Sequence, residues 1–154
     1  MTKVILIRGL SGSGKSTLAH SYIAKGIVPH NARVVSADDW FMVEGEYAFD
    51  PKGLPKAHAW CQDQAAATVE AGGTVIVANT FSCRWEMEPY IAMAEEKGVS
   101  FAVVDIFDSG LTDMQLHTRN THGVPLETIA AMRKRWERDW MGADIRPPWE
   151  REGA

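Results

Sequence analysis

The chain reads as an α/β domain, a parallel sheet covered by helices on both faces. Short β-branched runs alternate with helical segments from one end to the other. The strand runs, KVILI and TVIVA among them, are continuously apolar instead of alternating, as strands buried on both faces are. The 154 residues, 45% hydrophobic and 23% charged, suffice for one core, and no repeat, low-complexity tract or linker divides residues 1–154, so a single domain is expected.

The elements follow in order. Residues 3–7 (KVILI) predict a buried strand and 15–25 the helix behind it. A short strand over 33–36 (RVVS) leads into a loop rich in Gly, Pro and aromatics over 40–55. An alanine-rich helix over 56–71 stops at Gly72-Gly73, and 74–78 (TVIVA) is the third strand. A helix over 85–97 stops at Gly98, and 100–107 (SFAVVDIF) is the fourth strand. Two helices, over 112–120 and 125–140, follow it.

Composition excludes several classes. With 16 Lys and Arg against 20 Asp and Glu the net charge is −4, so the protein is not coated in positive charge, although a local basic cleft for nucleic acid stays open. No apolar run is long enough to span a bilayer, and Met1 precedes a strand pattern instead of a secretory signal. Cys61 and Cys83 form no CxxC pair, and His58, Cys61 and His122 are too few for a zinc site. Two free thiols in a reducing cytoplasm are the expectation.

Gly9-Leu10-Ser11-Gly12-Ser13-Gly14-Lys15-Ser16 fits G-x-x-x-x-G-K-[ST] between a strand and a helix. Glycines let the backbone curl so that successive N–H groups point at phosphate oxygens, and the helix N-terminus adds its dipole. Lys15 then reaches the β- and γ-phosphates, and the Ser16 hydroxyl is placed to ligate Mg2+. The nucleotide-binding set is Gly9, Ser11, Gly12, Ser13, Gly14, Lys15, Ser16 and Thr17, and the expected cofactors are ATP and Mg2+.

Carboxylates narrow the class. Asp38-Asp39 follows the second strand directly, at the sheet edge where α/β ligands bind. Asp38 there either accepts a proton from an attacking hydroxyl or caps the next segment. Asp39 shares that work, caps the segment or binds substrate. The third strand ends in Ala78-Asn79-Thr80, without the carboxylate that a nucleotide hydrolase keeps there, and no N-K-x-D guanine motif occurs. These absences favour a kinase.

From His117 to Arg138 five cations (Arg119, Arg133, Lys134, Arg135, Arg138) face two acids (Glu127, Glu137), a local charge of +3. Mobile cations over a transferring phosphoryl group suit a small kinase. Leu126, Ile129, Ala130, Trp136 and Trp140 make an apolar helical face with Arg133 in its middle, so Arg133 meets nucleotide phosphate or a buried acid. Arg135 and Arg138 point the other way, to solvent or to a strand of nucleic acid. Trp40, Phe41, Tyr47 and Phe49 are candidates to line a substrate pocket.

The strings Arg8-Gly-Leu-Ser-Gly-Ser-Gly-Lys-Ser-Thr17, Ser36-Ala-Asp-Asp-Trp-Phe41, Val75-Ile-Val-Ala-Asn-Thr80 and Arg119-Asn-Thr-His-Gly-Val-Pro125 resemble the polynucleotide 5′-kinase-like group of small P-loop kinases, over 3–140. The resemblance implies a three-layer P-loop kinase fold with an adenylate-kinase-type parallel sheet and a C-terminal helical lid. It also implies phosphoryl transfer from ATP to a hydroxyl, with Asp38 as general base and Arg119 and Arg133 as catalytic cations in the lid. Such kinases tend to carry an arginine three residues after the base, where this chain has Phe41, and a second lid arginine, where it has Gly123. No DxDGT phosphatase motif follows. The acceptor candidates are Asp39, Trp40, Phe41, Asn79 and Arg84. Phage relatives phosphorylate 5-hydroxymethyluracil within DNA, and a base sandwiched by Trp40 and Phe41 would suit that reaction, which requires the base out of the stack. The leading expectation is therefore a DNA hydroxyl, preferably on such a base. The alternatives are a polynucleotide 5′-hydroxyl, a small molecule or nucleoside, and a nucleotide-binding module without catalysis.

Overall fold

The computed structural model describes residues 2–152. Strand β1 (Val4–Gly9) is central in a four-stranded parallel sheet with β2 (Arg33–Val35), β5 (Val75–Asn79) and β6 (Phe101–Phe107), in the order β2-β5-β1-β6. Val4 pairs with Val75 on one side and Phe101 on the other, and the register runs unbroken to Arg8. Strands β3 (Met42–Val43) and β4 (Glu46–Tyr47) form a separate antiparallel hairpin within the expected loop.

The pleat sorts the side chains of the sheet. Val4, Leu6, Val75 and Val77 face helices α2 (Leu54–Glu70) and α3 (Arg84–Glu96); Ile5, Ile7 and Ile76 face α1 (Lys15–Ala24). Helix α2 meets the sheet with Ala57, Cys61, Ala65 and Val69, one residue per turn, and small side chains there let it lie close. Helix α3 buries Met87, Tyr90, Ile91 and Ala94 at i, i+3, i+4, i+7. Each fully buried Leu or Ile contributes about 1.5–3 kcal/mol relative to exposure. The three-layer α/β expectation thus describes this chain.

A third cluster holds the last two helices. Leu10, just after β1, packs with Leu116 of α4 (Asp113–Arg119), Ile129 of α5 (Leu126–Arg135) and Trp136. Thr112 starts α4 with a reciprocal cap, its hydroxyl accepting from Gln115 N–H and the Gln115 side chain accepting from Thr112 N–H.

Helix α5 stops at Arg135, five residues before the expected end at Trp140. The cause is Arg8, a wholly buried cation on β1. Its guanidinium donates to the carbonyls of Phe81 (3.0 Å), Ser82 (3.2 Å) and Glu137 (2.9 Å) and to Asp105 Oδ2 (3.1 Å). The Trp136 ring covers it at 4.0 Å. Delivering both a ring and a carbonyl to Arg8 requires extended backbone, so Trp136 leaves the helix. Burial draws the Arg8 pKa below its ordinary value, against the opposing pull of Asp105 and Glu137. Among the described residues no helix is long and apolar enough to cross a membrane.

Candidate active site

The loop between β1 and α1 is a phosphate cradle. Gly12 (φ 84°) and Gly14 (φ 97°) lie in the left-handed region, and at Gly12 a Cβ would stand 2.2 Å from the Leu116 carbonyl oxygen of α4. The loop is therefore wedged beneath the first lid helix. Ser13 N–H donates to Leu10 O (3.0 Å), and Ser109 Oγ donates to Ser13 O (2.6 Å). The N–H groups of Gly12, Gly14, Lys15, Ser16 and Thr17 have no acceptor among the described residues, and Ser13 Oγ is buried without a partner. Such an array fits an anion. Lys15 Nζ donates to Leu10 O at 3.2 Å, and burial lowers its pKa to about 8, against the opposing pull of nearby Asp38. Ser16 and Thr17 are exposed in the first turn of α1.

Asp38 sits in a 3-10 turn (Ala37–Phe41) directly after β2, on the Lys15 side of the sheet. Ser36 caps this turn, accepting from Asp38 N–H, and the Asp39 carboxylate accepts from Ser36 N–H (3.1 Å). Asp39, a substrate candidate by sequence, is thus engaged as the far end of a capping box. Asn79 is also structural here. Its buried Oδ1 accepts from Ser36 Oγ (3.2 Å) and Ala37 N–H (2.9 Å), which pins the Asp38 turn to the end of β5. Tyr47 comes back along the hairpin, and its hydroxyl donates to Asp38 Oδ1 at 3.1 Å.

The aromatic expectation divides. Phe41 is 2% exposed and belongs to the main core, so it cannot sandwich a base. Trp40, 38% exposed, meets it edge-on at 90°, and Phe49 is half exposed beside it. Phe41 shares the main core with Ala57 and Cys61 of α2.

The arginines differ equally. Arg119 at the end of α4 is exposed, makes no ion pair among the described residues, and lies over the loop, 3.8 Å from where a Cβ on Gly14 would stand. Arg133 is instead held by Asp108 (2.6 Å) and Asp113 (2.7 Å), donates to Leu111 O (2.9 Å) and covers Phe107. The hydrogen bond from Arg133 holds the Asp108 carboxyl below its ordinary pKa. The acids that Arg133 meets are only partly buried, as Arg133 itself is. Arg133→Ala should therefore lower stability by about 1–2 kcal/mol. Its melting temperature should fall by a few degrees while kcat stays near wild type; unchanged melting with a collapsed kcat would return Arg133 to the phosphates. Arg84, the remaining acceptor candidate, pairs with Glu88 (2.8 Å) and lies 5.4 Å from the Trp140 ring.

Sequence reading missed how Tyr47 and His122 are used. The two rings meet with centroids 4.2 Å apart, so the loop after α4 touches the hairpin that holds Asp38. The Glu44-Gly45 dipeptide between Met42-Val43 and Glu46-Tyr47 was the available sign that the chain doubles back there.

A glycine-rich phosphate cradle after the central strand of a β2-β5-β1-β6 parallel sheet, roofed by two helices, defines a P-loop domain of the kinase fold. Residues 4–138 match the AAA domain family, and the chain belongs to it. It is 36% identical over 138 residues to human NEDD4-binding protein 2, an alignment covering 88% of this chain and 8% of that protein. Among solved structures it resembles a chain of the Pnkp1/Rnl/Hen1 RNA repair complex, with a TM-score of 0.69 and 19% identity over 95% of this chain and 47% of that one. A gluconokinase from Sinorhizobium meliloti matches with a TM-score of 0.54 and 19% identity over 88% of this chain and 75% of that one. At these identities the structural likeness establishes the fold. The chain spans under a tenth of its human relative and about half of the repair-complex chain.

Proposed function

We propose that this chain transfers the γ-phosphate of ATP to a hydroxyl of a nucleic acid, the 5′-hydroxyl of a polynucleotide being the acceptor. The observation that carries the reading is a carboxylate, Asp38, near the lysine of an anion cradle, with the exposed Arg119 beside Gly14 of the same cradle. In this reading Asp38 takes the proton of the hydroxyl as its oxygen bonds to the γ-phosphorus and the bond to the β-phosphate bridge breaks. Lys15 and the loop N–H groups hold the phosphates, and Arg119 faces charge gathering on the equatorial oxygens.

Mg2+ fits the residues present. The exposed Ser16 hydroxyl and phosphate oxygens would hold it, largely hydrated, because β5 ends without a carboxylate and the described residues gather no three acids, histidines or cysteines. Bound there, it would neutralise phosphate charge.

Likeness to an RNA repair chain supports a nucleic-acid acceptor. The 5-hydroxymethyluracil reading loses its main argument with Phe41 in the core and keeps only Trp40. The test is label transfer from γ-labelled ATP to 5′-hydroxyl RNA and DNA oligonucleotides and to a 5′-phosphorylated duplex containing 5-hydroxymethyluracil. Label on the first two is expected. Label confined to the duplex would shift the acceptor to the base, and label on none, with ATP bound, to a small molecule.

A further inference from the structure

The segment from Arg119 to Val124 is short and internally fixed. Asn120 Oδ1 accepts from the N–H groups of His122 (2.9 Å) and Val124 (3.0 Å), and the His117 ring meets Val124 O at 2.9 Å. One end of this hook puts Arg119 over the phosphate loop. The other end lays the His122 ring on Tyr47, at 4.2 Å between centroids and 42° between planes. Tyr47 in turn donates to one oxygen of Asp38. The phenol remains a donor throughout the useful pH range, because burial and the Asp38 charge both push its pKa up. No other side chain or backbone group donates to the Asp38 carboxylate among the described residues. Phe41, three residues after Asp38, is buried in the core and has no group to donate, which leaves the alignment of Asp38 to Tyr47.

We propose that Tyr47 and His122 are positioning residues that align Asp38: the phenol fixes one carboxylate oxygen so that the other is presented to the acceptor hydroxyl, and the imidazole fixes the phenol, so the base is in line only while the 119–124 hook is seated. Donor and acceptor halves of the site are then coupled through one rigid loop. A cation over the nucleotide and a ring behind the base move together, and a lid that has not closed leaves Asp38 poorly aimed. The inference rests on Asp38 being the base.

The test follows ADP formation from ATP by the full chain with a 5′-hydroxyl oligonucleotide present, so that turnover is read whether the probe or water accepts. ATP binding is measured separately by calorimetry. Tyr47→Phe keeps the ring against His122 and removes only the hydroxyl; His122→Ala removes the platform; His122→Phe keeps a flat ring there. Tyr47→Phe and His122→Ala should each lower kcat by about 100-fold, the scale of a misplacement near 1 Å, with the ATP dissociation constant and KM for ATP essentially unchanged. His122→Phe should recover most of the rate. The double variant Tyr47→Phe/His122→Ala should be no slower than Tyr47→Phe alone, since both act through one hydrogen bond. Wild-type kcat in Tyr47→Phe, or losses that multiply in the double variant, would overturn the proposal. Asp38→Asn, run beside them, separates the two failures. If it still turns over, the base assignment itself is wrong; if it is inactive while Tyr47→Phe runs at full rate, only the positioning role is.

Discussion

Asp38→Asn is expected to lower kcat by about 10²–10⁴-fold, the usual contribution of a general base, and to leave ATP binding intact. The substitution is nearly isosteric, and its amide oxygen can still accept the Tyr47 proton that Asp38 Oδ1 accepts now. The Ser36 cap engages the backbone at position 38 and is undisturbed. Only the capacity to take a proton is lost. Steady-state turnover beside calorimetric ATP binding checks this. Loss of both would make Asp38 a structural residue, and loss of neither would mean that another group takes the proton.

Lys15→Ala should abolish ATP-dependent turnover and weaken ATP binding, and the pH dependence of the wild-type protein identifies the cause. In the empty protein Lys15 has a pKa of about 8, below its ordinary 10.5. Above pH 8 it is largely neutral, and binding triphosphate then requires uptake of a proton. Affinity should fall as pH rises past 8, by at most about tenfold per unit. Stability of the empty protein should move the opposite way. Between pH 8 and 10.5 the unfolded chain binds more protons at this lysine than the folded one, so folding becomes more favourable, by at most about 1.4 kcal/mol per unit. Calorimetry and thermal melts at pH 7 and 9.5 would read both slopes, and both lysine contributions should vanish in Lys15→Ala. Turnover undiminished in that variant would remove the phosphate loop from the mechanism.

The strands and helices were legible because their signals are local. Continuous apolar runs made β1, β5 and β6 evident, and the Gly72-Gly73 and Gly98 stops bounded α2 and α3 to within a residue or two. The phosphate loop was legible for the same reason, since eight consecutive residues carry it. What was illegible depends on partners far along the chain. Arg8 looked like one more motif residue, yet one of its acceptors lies 129 positions away. Arg133 on an apolar stripe announced a need for negative charge without saying whose, and Asp108 and Asp113 meet that need from the preceding loop and helix. Phe41 and Trp40 are adjacent and chemically alike, but a turn of about 3-10 pitch sends one into the core and the other toward solvent. Asn79 read as an acceptor contact and serves as a pin between β5 and the Asp38 turn.

The Arg8 clasp bears on the order in which the chain folds. The carbonyls that accept its hydrogen bonds belong to Phe81, Ser82 and Glu137, its counter-charge to Asp105 and its covering ring to Trp136, all far along the chain from it. Strands β1 and β5 can pair without these groups, yet closing the sheet around a guanidinium that lacks its partners costs several kcal/mol. The cation thus works as a completion check, keeping β1 from settling until β6 and the stretch around residue 137 are in place. Folding is then concerted, and a fragment cut short before residue 136 should stay open to proteases.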